Sequence, residues 1–210
     1  MKRSIFCFLL VVLIYGCNNQ TEKKEQPATA DTSALVIKEA DGLSQQDSIK
    51  ATGRQILTFL KTKNYPELVK YFSNEGVRFS PYSYIDKATS KILTPDDFLS
   101  AINKKQTFTW GSFDGTGDQI NLTVKDYLDK FVYTADFLNA EAVGINEVIK
   151  QGNSTNNLKD FYPNHFFIDY HFSGFEQKYN GMDWASLRLV FEKQDGHYFI
   201  VAIIHDQWTS

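Results

Sequence analysis

The sequence predicts an α+β domain in which N-terminal helices pack on a curved, mainly antiparallel sheet. Two observations carry that expectation. After residue 43 the first half of the chain is punctuated by helix-start signals, whereas the second half switches to strict two-residue alternation. A third observation supports both: 17 Phe and 11 Tyr supply ample apolar surface to fill a core between the two layers.

The helical elements follow in order. Ser44-Gln45-Gln46-Asp47 reads as a capping box, after which Ile49, Ile56, Leu57 and Leu60 recur on one helical face. Asn64 and Pro66 open a second, short helix whose apolar side is Leu68, Val69 and Phe72. Thr94-Pro95-Asp96-Asp97 starts a third helix with Phe98, Leu99 and Ile102 inward, and Thr123 to Asp126 starts a fourth that leads into Tyr127, Leu128 and Phe131. A short strand around residues 77–79 and an extended stretch around 107–110 lie between them. "GSFDGTGDQ" at 111–119 lacks the Lys and the helix entry of a phosphate loop and reads as a turn.

The strands come next. In "HFFIDYHF", residues 165–172, Phe166, Ile168, Tyr170 and Phe172 share one face, and His165, Phe167, Asp169 and His171 the other. "WASLRLVFEK", residues 184–193, alternates in the same way, and Gln194-Asp195-Gly196 supplies turn chemistry for a hairpin into residues 197–205. That last strand is apolar on both faces, as expected of one covered on both sides.

The N-terminus reads as a targeting segment. Lys2 and Arg3 precede an apolar run from Ile5 to Tyr15, too short for a mature membrane span, and then Gly16-Cys17. Ile14-Tyr15-Gly16-Cys17 resembles the lipobox of bacterial lipoproteins, with Tyr15 an unusual residue for its place. The resemblance implies cleavage of residues 1–16 and a diacylglycerol on Cys17, which anchors the chain in a bacterial cell envelope; an ordinary secretory signal with an incidental Cys is the competing reading. Residues 17–42 then have the polar composition of a flexible tether, and residues 43–210 form one domain. Removing Lys2 and Arg3 leaves 20 basic against 25 acidic side chains, a net −5. A mildly acidic body argues against nucleic-acid binding. With Cys7 gone and Cys17 lipidated, disulfides and thiolate metal sites are excluded as well.

The opening helix pair, "ATGRQILTFLKTKNYPELVKYF", and the closing hairpin, "WASLRLVFEKQDGHYFIVAIIHD", resemble the nuclear transport factor 2-like superfamily, the cone-shaped fold of ketosteroid isomerases and polyketide cyclases. "GMDW", "FVYTADF" and "DGHYFIVAIIHDQW" also resemble bacterial envelope lipoproteins to which no activity attaches. The superfamily resemblance implies that ligands enter the open end of the cone, that functional groups project from its concave sheet face, and that two copies pair through the outer face as a homodimer. Its enzymes use an Asp general base with oxyanion donors, or a His-Asp pair.

Asp169, His171, Arg188 and His205 are the groups that meet this requirement, sharing one polar face if their strands are neighbours; Trp184 is a further pocket candidate. As an enzyme, an isomerase, dehydratase or cyclase type would use Asp169 or His205 as base. Asp169 opposite Arg188 also reads as a plain cross-strand ion pair, with His165 and His171 on a wet sheet face. Strand parity sends His205 and Asp206 to opposite faces, and Asp206 with Trp208 reads as a fastening of the chain end. Tyr162, Tyr179 and Trp184 would serve sugar stacking only as an exposed platform. No motif points to a cofactor or a metal. The expectation is therefore a lipid-anchored protein, non-catalytic, that binds a small apolar or amphipathic molecule or docks a protein partner.

Overall fold

A computed structural model describes residues 32–209, with side chains from residue 45 onward; Cys17 and the expected signal segment, residues 1–16, lie outside the described residues. Helix α1 (Thr32–Thr62) runs through Ser44, so the expected capping box lies inside the helix rather than at its start, and the first turns fall on residues expected in the tether. Ile49, Ile56, Leu57 and Leu60 are its buried stripe. Gly53 sits where α1 presses on the sheet. A Cβ there would overlap the Tyr170 hydroxyl and lie 2.8 Å from Ile168 Cδ1.

Helix α2 (Tyr65–Leu68) continues into a 3-10 turn, but the Asn64 side chain makes no cap bond; Pro66 in the first turn supplies the start signal instead. Strands β1 (Val77–Ser80) and β2 (Lys91–Leu93) follow, then α3 (Pro95–Lys104). Its start is as the sequence predicts, since Asp97 N donates to Thr94 Oγ1 at 3.2 Å. Strands β3 (Thr107–Ser112) and β4 (Gln119–Thr123) pair as a two-stranded ribbon, and α4 (Val124–Tyr127), capped by Thr123, runs on as a wider turn to Val132. Strand β5 (Ala142–Ile145), helix α5 (Leu158–Phe161), and strands β6 (Phe166–Phe172), β7 (Ala185–Gln194) and β8 (His197–Gln207) complete the chain.

Six strands form one sheet in the order β2-β1-β8-β7-β6-β5, antiparallel throughout except for β1 beside β8. Asp195 and Gly196 both take positive φ in the β7–β8 turn, which suits the twist of the two strands. A register shift between Val190 and Phe191 bends the hairpin.

Each face of the sheet has its own cover. On the helical side Leu187, Leu189, Ile203 and Phe79 meet α1, α3 and α4, and an aromatic stack fills the layer: Phe79 lies 6.1 Å from Phe98, and Trp110 lies 4.0 Å from Tyr127. Burying each such ring stabilises the fold by about 2–3 kcal/mol. On the reverse side Phe167, Val190, Ala202 and Ile204 pack under Ile85 and Leu158, a smaller core closed by the segment 146–158. The last strand is therefore apolar on both sides for a structural reason: it is covered on both.

Candidate functional site

Register determines where the sequence candidates point. Asp169 pairs across from Arg188, and His171 from Ser186, while Ser186 pairs with Asp206 and Leu187 with His205. Asp169, His171, Arg188 and Asp206 therefore project from the reverse face, and His205 projects into the helical core. His205 does not share the polar face of the other three.

On the reverse face a buried ion triad forms. Arg188 Nε donates to Asp169 Oδ2 at 3.1 Å, and Arg188 Nη2 lies 2.8 Å from Asp206 Oδ2, close enough for ionic attraction but not aligned as a hydrogen bond. The segment over this face is bound to the same groups: Ile149 N donates to Asp169 Oδ2 and Arg188 Nη2 donates to the Lys150 carbonyl, both at 3.0 Å. Burial raises both carboxyls above their ordinary value, with the Arg188 charge opposing it. His171 Nδ1 lies 2.8 Å from Ser186 Oγ, and burial lowers its pKa. Trp184, only 2% exposed, packs on His171 and carries Lys150 Nζ 5.0 Å above its ring. With Trp184 covered and Tyr162 half-buried, no shared stacking platform exists at those residues. Residues 149–152 lie over Asp169, Arg188 and Trp184, and His171 and Asp206 are buried beside them.

His205 is equally closed. It is 1% exposed, lies 6.1 Å from the Phe131 ring, and has Nε2 3.1 Å from Gln207 Oε1, while Nδ1 meets no partner among the described residues. Burial drives its pKa down to about 4, with the Gln207 contact opposing and Arg188 adding to the fall, so the imidazole is neutral at pH 7. Of the two residues expected to fasten the chain end, Asp206 is buried against Arg188, whereas Trp208 is not held and Thr209 takes its place. Trp208 is 45% exposed, whereas buried Thr209 donates to Asn153 Oδ1 at 2.9 Å and accepts at its carbonyl from Asn153 Nδ2 at 2.6 Å.

Open space lies elsewhere, in a cleft of about 300 Å³ between α1 and the β5–β6 edge. Leu57 and Phe137 form its buried apolar wall, Tyr170 its floor, and Leu138, Ala140 and Val143 its outer side. Lys50 and Arg54, one helical turn apart, stand exposed at the rim, and Arg54 Nη1 donates to the Leu138 carbonyl at 3.4 Å. Burial raises the Tyr170 hydroxyl, which stays protonated and able to donate. Among the described residues, no carboxylate or imidazole lines this cleft. Its volume sits at the lower end of small-molecule sites, roughly 300–1,000 Å³. The sequence signal for it was slight: Lys50, Arg54 and Leu57 at i, i+4 and i+7 place two cations beside an apolar position on one helix face.

No protein-family model matches the chain, and no curated protein matches it. Among solved structures, a putative calcium/calmodulin-dependent protein kinase II association domain from Xanthomonas campestris aligns over 91% of this chain and 97% of its own, at 11% identity and a TM-score of 0.32. A DUF4783 family protein from Bacteroides ovatus aligns over 74% and 94%, at 11% identity and a TM-score of 0.28. A substituted chain with NTF2 in its name covers 76% of this chain and 97% of its own, at 10% identity and a TM-score of 0.31. Likeness at this level assigns no function. The class is defined by the topology itself: an α+β domain with helices on one face of a mainly antiparallel sheet.

Proposed function

We propose that this chain is a bacterial envelope protein, held to its membrane by a lipid on Cys17, whose domain binds a small amphipathic molecule without transforming it. One observation carries the binding reading. The cleft under α1 joins an apolar wall to two exposed cations and one hydroxyl, the pattern that suits an acyl chain with an anionic head. That no acid or imidazole stands among the described residues of its lining favours binding over isomerase- or dehydratase-type chemistry, whose base must reach the ligand. Asp169 and His205, the bases that such chemistry would recruit, are closed off on opposite faces of the sheet.

A chain that buries about six methylenes at ~0.8 kcal/mol each gains about 5 kcal/mol. That corresponds to a dissociation constant on the order of 0.1–1 mM. The test is displacement of a bound anilinonaphthalene sulfonate dye by laurate. Ala140→Trp, which fills the cleft from its half-exposed edge, should abolish displacement, and Lys50→Glu with Arg54→Glu should weaken it by about tenfold. Undiminished laurate binding by Ala140→Trp would refute the assignment. The anchor has a separate test: Cys17→Ala should move the protein from the membrane fraction to the soluble one, and retention through detergent-free washing would show that Cys17 is not the anchor.

A further inference from the structure

A second cavity, of about 280 Å³, opens between the 81–90 loop and the end of β3, with Ser154 on its far wall. Its chemistry differs from that of the cleft. Among the described residues no Lys or Arg lines it, and two carboxylates, Asp86 and Asp114, do, which disfavours any anionic occupant.

Several of its polar groups are already committed to the fold. Asp86 accepts from Ala88 N at 2.8 Å and from Thr89 Oγ1 at 2.9 Å, which lowers its pKa. Ser80 Oγ donates to the Tyr82 carbonyl at 2.8 Å, and Ser90 Oγ donates to the Asp86 carbonyl while accepting from Arg78. Trp110 forms a fixed inner wall, with Nε1 donating to the Leu122 carbonyl at 2.9 Å. What remains is the functional part. The Asp114 carboxylate and the Ser112 and Tyr84 hydroxyls have no hydrogen-bond partner among the described residues, and all three residues are exposed at the cavity. The Tyr82 oxygen accepts from Asp114 N at 3.1 Å and retains its own proton to donate. Beside them the Tyr84 ring stands 53% exposed.

An exposed aromatic ring next to a free carboxylate suits an organic cation or a neutral ring that is polyhydroxylated at its edge and C–H-rich on its face; the several hydroxyls beside them, which a hydroxylated edge can pair and a quaternary ammonium cannot, favour the second. From this juxtaposition we infer that the cavity is a subsite for a neutral sugar residue, stacked on Tyr84 and hydrogen-bonded to Asp114. It stands independently of the cleft, which lies under α1 and shares no lining residue with it.

The test is titration of the full chain in detergent micelles with cellobiose, maltose and diacetylchitobiose, followed by the amide resonances of Gly111 and Ser112. At least one disaccharide should give saturable shifts there. Tyr84→Ala should weaken it by about tenfold or more, as should Asp114→Asn, the fold equivalent of about 1.4 kcal/mol. Both side chains are exposed, so both variants should melt as the parent does, and Ala140→Trp should leave sugar binding intact. The inference is overturned if none of the three sugars saturates those resonances, if neither substitution weakens binding, or if tetramethylammonium saturates the site and the sugars do not.

Discussion

Replacing Arg188 with Met removes the cation held between Asp169 and Asp206 and leaves two carboxylates buried, since both residues and Arg188 itself are 0–2% exposed. Breaking a buried ion pair from one side costs about 3–5 kcal/mol. For a domain of this size each kcal/mol lowers Tm by roughly 2–4 °C, so a fall of about 6–20 °C is expected in a melt followed by circular dichroism. The loss carries a pH signature. Burial already raises both carboxyls, and without the guanidinium they rise further. A carboxyl whose pKa is raised in the folded state contributes stability that is fully present below its unfolded value, near 4, and is lost as pH rises through the folded value. The deficit of Arg188→Met should therefore be largest near pH 8 and smallest near pH 4. Adding Asp169→Asn and Asp206→Asn should recover stability mainly at the higher pH. A Tm change of under about 2 °C, or a deficit equal at both pH values, would refute the claim that this triad holds its charges in the interior.

Three further outcomes follow from the packing. His205, at about 4 folded against an ordinary 6.5, stays neutral in the core while the unfolded chain protonates, so stability falls as pH drops from about 6.5 to 4. The full effect is about 3 kcal/mol, and His205→Leu should remove this component when urea midpoints are compared across that range. Gly53→Ala should destabilise despite the better helix propensity of Ala, because overpacking against Tyr170 costs about 1–3 kcal/mol; a rise in Tm would contradict the close approach of α1 to β6. Thr209→Ala removes the hydroxyl contacts to Asn153 and Ser154 and should lower stability by about 1–2 kcal/mol in urea unfolding.

The strand half of the fold was legible because two-residue alternation carries the register within itself. Ile168, Leu187 and Leu189 against Asp169 and Arg188 is visible in the sequence, and the ion pair follows from it. What covers each face was not legible. Residues 146–158 have no periodicity, yet their backbone at Ile149 and Lys150 seals Asp169 and Arg188, turning pocket candidates into an interior clamp. Trp184 and His205 met the same outcome, because alternation assigns a side but not the depth at which a side chain sits beneath its neighbours. At the N-terminus, Ser44 offered a cap that helix α1 overruns, and Asn64 offered one that its side chain does not make. The short strands β2, β4 and β5 leave no mark in the sequence because three to five residues carry too little pattern. The cleft draws its walls from α1, the 3-10 turn at Phe137–Asn139 and a sheet edge, which no local motif joins.

The most direct measurement of the binding assignment is an amide NMR titration of the protein with laurate bearing a nitroxide label on its chain. The spin label should broaden Leu57, Phe137 and Tyr170 saturably, with unlabelled laurate reversing the effect and Ala140→Trp abolishing it. Broadening at the Trp110 cavity instead, or none that saturates, would contradict the assignment of the cleft under α1 as an amphiphile site.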